Sequence, residues 1–192
     1  MVSATTGCFP GARSLTWRDF STHERLSNAN QTQTLTVPLG KIGLHIRSGT
    51  AVFLHQAGHT IASTRRSDLS LLVSLSPGTD GVAYGKVYLD DGESLPPTLY
   101  REVRIFAEGG RLGGKIRFVG EGTYMSQQKL QKVTILVNDA RDKQGAGSGV
   151  TEVRVGDRTC KSWTWDGNLG KLVVENTGVD LNGLTLDTIS WW

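Results

Sequence analysis

From residue 68 onward, apolar residues recur at every second position. In Asp68-Leu69-Ser70-Leu71-Leu72-Val73-Ser74-Leu75 the residues Leu69, Leu71, Val73 and Leu75 fall on one face, and Ser76-Pro77-Gly78-Thr79-Asp80-Gly81 follows as a turn. A period of two is the signature of a strand with one buried and one wet face. The pattern returns at Val103 and Ile105, Ile116 and Phe118, Val133, Ile135 and Val137, Val153 and Val155, Trp163 and Trp165, and Leu172 and Val174. Between these runs lie Glu108-Gly109-Gly110, Gly120-Glu121-Gly122, residues 138–149, Gly156-Asp157, Asp166-Gly167-Asn168 and Asn182-Gly183. Such residues admit positive φ or cap their own backbone, so they read as turns. No amphipathic helix of about 11 residues or more interrupts the series, which argues against a parallel sheet with crossover helices. The predicted fold is all-β, an antiparallel β-sandwich.

The texture differs before residue 67. A Pro-led extended run, Val37-Pro38-Leu39-Gly40-Lys41-Ile42-Gly43-Leu44-His45-Ile46-Arg47, precedes the short apolar Ala51-Val52-Phe53-Leu54. The predicted organisation is a partial β-sandwich over residues 1–66 and a complete one over 67–192. Near the end, Leu184 and Leu186 occupy one phase, whereas Ile189 and Trp191 occupy the other, which predicts a bulge near Asp187 or Thr188.

Composition narrows the class without choosing a function. The 192 residues carry 21 basic and 18 acidic side chains, a net charge of +3 that gives no reason to expect a nucleic-acid partner. No stretch approaches ~18 consecutive apolar residues, and Met1 to Pro10 lacks the basic start and apolar core of an export signal, so neither a membrane span nor a leader is predicted. Two cysteines, Cys8 and Cys160, lack metal or redox spacing and are open to pairing or to lying apart as free thiols. The 24 glycines have no three-residue period and read as turn supply.

The candidate chemistry is sparse. Tyr88-Leu89-Asp90-Asp91-Gly92-Glu93-Ser94 is the densest acidic segment, and it reads as a hydrogen-bonded turn with Asp90, Asp91 and Glu93 as candidate ligand contacts. It lacks the alternating oxygen ligands and distal Glu of a calcium loop. Histidines 23, 45, 55 and 59 include His55-Gln56-Ala57-Gly58-His59, where Gly58 weakens the helix a metal pair would need, so no metal and no cofactor is predicted. Gly145-Ala146-Gly147-Ser148-Gly149 fails as a nucleophile elbow because Ala146 stands two residues before Ser148. Among the five tryptophans, Trp163 and Trp165 share a face and are candidates for stacking on a sugar ring, against the commoner role of core filler. Asn30-Gln31-Thr32 is a glycosylation sequon, relevant only in a secretory compartment.

Three segments in succession resemble a known pattern. Leu15-Thr16-Trp17-Arg18-Asp19-Phe20-Ser21-Thr22-His23-Glu24, then Val37 to Leu54, then Gly85-Lys86-Val87-Tyr88-Leu89-Asp90-Asp91-Gly92-Glu93-Ser94 look like the C-terminal part of glycoside hydrolase family 31, the α-glucosidase family. The resemblance implies the end of a proximal β-sandwich followed by a distal one, both of which would follow a catalytic (β/α)8 barrel. It also implies that neither Asp90 nor Asp91 is catalytic, since the family's two catalytic Asp lie on barrel strands. Such a barrel takes about 250 residues, more than this chain contains. The family usually has Pro where this chain has Gly43, and Gly where it has Ser48, so Ser48 is expected to meet a position that calls for positive φ.

The expected function is therefore that of a noncatalytic accessory region of a retaining α-glucosidase. The alternatives are the tail of such an enzyme carrying its parent's activity only in name, and a stand-alone carbohydrate-binding module. Expected partners are a carbohydrate, a catalytic barrel in a parent enzyme, and further copies of the chain through unpaired strand edges. A parent enzyme could be secreted or lie in the secretory pathway.

Overall fold

A computed structural model describes residues 2–11, 15–26, 32–38, 40–95, 99–138, 149–183 and 188–192. The described elements are β1 (Val2–Cys8), β2 (Trp17–Asp19), β3 (Thr32–Pro38), β4 (His45–Arg47), β5 (Thr50–His55), α1 (Ile61–Arg66), β6 (Leu69–Ser74) and β7 (Gly81–Leu89). They continue with β8 (Arg101–Gly110), β9 (Gly113–Gly122), β10 (Lys129–Leu136), β11 (Val153–Val155), β12 (Arg158–Thr159), β13 (Trp163–Asp166), β14 (Lys171–Asp180) and β15 (Ile189–Trp191).

Eleven strands form one continuous hydrogen-bonded series in the order β12-β11-β15-β9-β8-β7-β5-β6-β10-β14-β13. The series folds over on itself, so the inward faces of its two halves meet as a half-barrel or sandwich. Leu71 and Val73 of β6, Ile105 of β8, Ile116 of β9, Val133 and Ile135 of β10, Val153 of β11, Leu172 and Val174 of β14, and Trp191 of β15 fill the shared core. The architecture is all-β and mostly antiparallel; the exceptions are the β6–β10 ladder and the single Thr50–Tyr84 pairing of β5 with β7, both parallel. Two two-stranded sheets accompany it, β1–β3 and β2–β4.

The alternation breaks at Leu72, which is buried although it lies on the face of β6 opposite Leu71. It packs with Leu136 of β10 and Ile46 of β4, flanked by Phe20, Val52 and Leu54. The β2–β4 unit thus covers the outer face of β6 and β10, and strands buried on both faces lose the alternation of half-exposed ones. Arg18 of β2, fully buried, fastens this layer. Its guanidinium donates to Asn138 Oδ1 at 2.8 Å and to the main-chain carbonyls of His23 at 2.8 Å, Leu169 at 2.7 Å and Val137 at 2.8 Å. Asn138 in turn donates to Ser74 Oγ at 3.2 Å and to the Leu75 carbonyl at 2.6 Å.

One expectation is corrected here. Ser48 does not take positive φ; Gly49 does, at φ 81°. Ser48 instead pairs with Thr16, its amide donating to the Thr16 carbonyl at 2.8 Å and its Oγ accepting the Thr16 amide at 3.0 Å. The hydroxyl is buried but bonded, so the side chain is accommodated without backbone strain. The bulge predicted near Asp187 or Thr188 lies outside the described residues at 184–187, as do Asn30 and Gln31 of the sequon and residues 145–148 of the Gly-rich segment. Among the described residues no helix is long and apolar enough to cross a membrane.

Candidate functional site

Two short elements face each other across a groove. The first is α1, six residues held at both ends. Thr60 Oγ1 accepts the Ser63 amide at 3.1 Å while Ser63 Oγ accepts the Thr60 amide at 3.1 Å, a reciprocal capping arrangement. At the other end Gln128 Nε2 donates to the Arg65 and Ser67 carbonyls, each at 2.7 Å. Arg65 and Arg66 occupy the last turn, where positive charge complements the helix carbonyls.

The second element is the turn that leaves β7. Asp90 Oδ1 accepts the Gly92 amide at 2.9 Å, and Asp91 Oδ1 accepts the amides of Glu93 and Ser94, each at 3.0 Å. The Ser94 hydroxyl donates to the other Asp91 oxygen. These bonds, the Ser94 hydroxyl first, lower the Asp91 carboxyl to a pKa of about 2. Side chains of this kind fix the turn by bonding to their own backbone.

The groove between them has a volume of about 610 Å³. Arg65 and Arg66 line it from the helix, Asp90, Asp91 and Glu93 from the turn, Tyr88 from β7 and Gln128 from the segment just before β10. Arg65 reaches toward the Gly92 carbonyl at 3.5 Å, yet among the described residues neither arginine forms an ion pair with the three carboxylates. Tyr88, 48% exposed, is stacked on Tyr100 with ring centroids 5.5 Å apart and planes 8° from parallel. Partial desolvation, and then the negative charge of Asp90 and the Tyr100 phenol, raise the Tyr88 phenol above its ordinary pKa, so it stays a neutral donor.

Asp90, Asp91 and Glu93 are therefore brought together on one groove. Trp163 and Trp165 are not with them. They sit on edge strand β13, five positions from β7 in strand order, half-buried and packed against the sandwich core. A Cβ on Gly149 would lie 2.3 Å from Trp165 Cδ1, so that indole is closely covered. Among the described residues no group of three or more His, Cys, Asp or Glu is placed to hold a metal ion. Cys8 and Cys160 are free thiols. The sequence reasoning missed Tyr88, Tyr100, Arg65, Arg66 and Gln128. Of these, only Tyr88 fell in a segment the sequence singled out, as the first residue of Tyr88 to Ser94.

No family model matches the chain. Curated proteins do. Glucoamylase 1 of Candida albicans is 36% identical over 144 residues, spanning 74% of this chain and 14% of that protein. The alpha-glucosidase of Schizosaccharomyces pombe is 35% identical over 136 residues, 70% of this chain and 13% of that protein, and an uncharacterized family 31 glucosidase of the same yeast is 29% identical over 131 residues, 68% of this chain and 13% of that one. The chain belongs to glycoside hydrolase family 31. It spans about one seventh of the length of the curated relatives it matches. Solved family 31 structures share its fold and contain it as a C-terminal portion. The Flavobacterium johnsoniae family 31 dextranase superposes with a TM-score of 0.72 at 14% identity, covering 98% of this chain and 24% of that one. A glucosidase II alpha subunit superposes with a TM-score of 0.68 at 20% identity, covering 97% of this chain and 21% of that one.

Proposed function

We propose that this chain is a noncatalytic β-sandwich region that braces the catalytic barrel of a retaining α-glucosidase. The observation that carries this reading is the asymmetry of coverage: nearly all of this chain superposes on about a quarter of the dextranase. With the boundary placed near residue 66, residues 1–66 would close the proximal sandwich and residues 67–192 would form the distal one, with β5 reaching across to join the distal sheet between β6 and β7. Two features support a large protein partner. The β1–β3 ribbon is two-stranded, and isolated ribbons of that size are marginal in water. Close to it in sequence, Ile42 is 88% exposed and Leu44 50% exposed, apolar area suited to burial against another domain. In a lone chain the same ribbon edges would favour self-association. A parent enzyme that followed the secretory route would offer Asn30 as a glycosylation acceptor.

A chimera tests the bracing role. This chain would replace the corresponding region of the Aspergillus niger alpha-glucosidase, which is 30% identical over 138 residues. Changing Ile42 and Leu44 to Ser should lower the melting temperature of the chimera while leaving that of the isolated chain unchanged. Equal melting temperatures for the chimera with and without the changes would refute the brace.

A further inference from the structure

We infer that the groove between α1 and the Asp90–Ser94 turn binds a neutral oligosaccharide, with Tyr88 as its stacking platform. The site stands whether or not the region also braces a barrel. Three observations converge on this ligand class.

The first is the ring. A half-exposed tyrosine usually samples several orientations, but Tyr88 is held by parallel stacking on Tyr100. A fixed ring at the wall of a groove offers apolar area at little further entropic cost, which suits the apolar face of a pyranose. The Tyr88 hydroxyl is a further hydrogen-bond donor at the wall of the groove.

The second is the charge. Two arginines and three carboxylates line the groove, leaving it close to neutral with a slight negative balance. A phosphate, a sulfated saccharide or a nucleic acid would meet three carboxylates, whereas an uncharged polyol meets donors on one wall and acceptors on the other. The opposing groups are also not closed into ion pairs with each other. Asp91 is taken up by its own turn, but Asp90 keeps a second carboxylate oxygen beyond its bond to the Gly92 amide, and with Glu93 and the arginines it can meet ligand hydroxyls.

The third is preorganisation. Gln128 clamps the last turn of α1 through two carbonyls, and Asp91 is locked by Ser94, so both walls are held before a ligand arrives. The volume of about 610 Å³ falls within the roughly 300–1,000 Å³ range of small-molecule sites. In contrast, Trp163 and Trp165 are half-buried against the core and line no part of this groove.

The test is amide NMR of the isotope-labelled 192-residue chain titrated with maltotriose, with sorbitol, inorganic phosphate and a sulfated oligosaccharide as comparators. Saturable shifts with maltotriose, centred on the amides of Arg65, Tyr88, Gly92 and Gln128, are the expected result. Tyr88→Ala should weaken binding roughly tenfold or more, whereas Tyr88→Phe should stay within about threefold. Should Tyr88→Ala lose the dispersed spectrum of a folded protein, Glu93→Gln combined with Asp90→Asn supplies the second arm, with a weakening of about threefold or more expected. Four results would overturn the assignment: no shifts at high millimolar maltotriose, shifts centred on Trp163 and Trp165, equal response to sorbitol, or response to phosphate or the sulfated sugar alone.

Discussion

Arg18 Nη2 donates to the Val137 carbonyl at 2.8 Å across 119 residues of sequence, joining the β2–β4 layer to the end of β10. The same carbonyl also accepts Arg25 Nη2 at 3.0 Å. The guanidinium fork of Arg18 serves four acceptors among the described residues, which no other side chain can reproduce. Arg18→Met should destabilise the chain by about 3 kcal/mol or more, since it leaves buried carbonyls without donors. Arg18→Lys should recover less than half of that loss. Urea unfolding midpoints of the three proteins decide the matter, and a midpoint for Arg18→Met equal to that of the unaltered chain would show that the clamp carries no stability.

Trp191 fills a notch cut by glycine. Its Nε1 donates to the Gly110 carbonyl at 3.0 Å, and a Cβ on Gly114 would stand 2.4 Å from its Cζ2 and 2.5 Å from the Glu108 carbonyl oxygen. Gly114→Ala should therefore cost about 1–3 kcal/mol by overpacking. Pairing it with Trp191→Phe should give a combined loss smaller than the sum of the separate losses, because the smaller ring vacates part of the clash. Strict additivity in a double-mutant cycle would remove the proposed contact.

His23 supplies a pH signature. Burial first, and then the positive charges of Lys171 and Arg18, hold its imidazole below the ordinary value, against the opposing pull of Asp19. The unfolded chain therefore takes up this proton more readily than the folded one. Stability from neutral His23 is complete above about pH 6.5 and is lost as pH falls through the lowered folded value. His23→Asn tolerates the positive φ of 64° at this position and cannot titrate. Its stability profile should lack the step that the unaltered chain shows below about pH 6.5.

Asp91 has the same sign in a lower window. Its pKa of about 2 lies below the unfolded value, so the turn is supported above about pH 4 and loosens as pH falls toward 2. Carboxyl carbon shifts should titrate with a midpoint near 2, and Ser94→Ala should move that midpoint toward the ordinary aspartate value. An unmoved midpoint would mean that Ser94 is not the main cause of the shift.

The strand series was legible because Leu69, Leu71 and Val73 alternate with residues that need not be buried. Leu72 broke the pattern for a reason lying more than twenty residues upstream, where Ile46 covers the other face of β6. Strand β7 had no clear signal, since its inward positions Gly81, Ala83 and Gly85 are small. The Asp90–Ser94 turn was visible from Asp, Gly and Ser chemistry, but its partners were not. Tyr100 meets Tyr88 only through the β7–β8 hairpin, and Arg65 faces Asp91 only after the chain folds. Trp163 and Trp165 were legible as aromatic residues on one face; their packing against the core depends on β13 closing the sheet edge beside β14.

Turnover is the most direct test of a noncatalytic role. Retaining glycosidases need an acid/base and a nucleophile about 5 to 5.5 Å apart around the scissile bond. In this chain Asp90 and Asp91 instead bond to the backbone of their own turn. The purified 192-residue chain, incubated with maltose and with an aryl α-glucoside, should release no more product than a protein-free control. Reproducible release that vanishes in Asp90→Asn or Asp91→Asn would contradict the account.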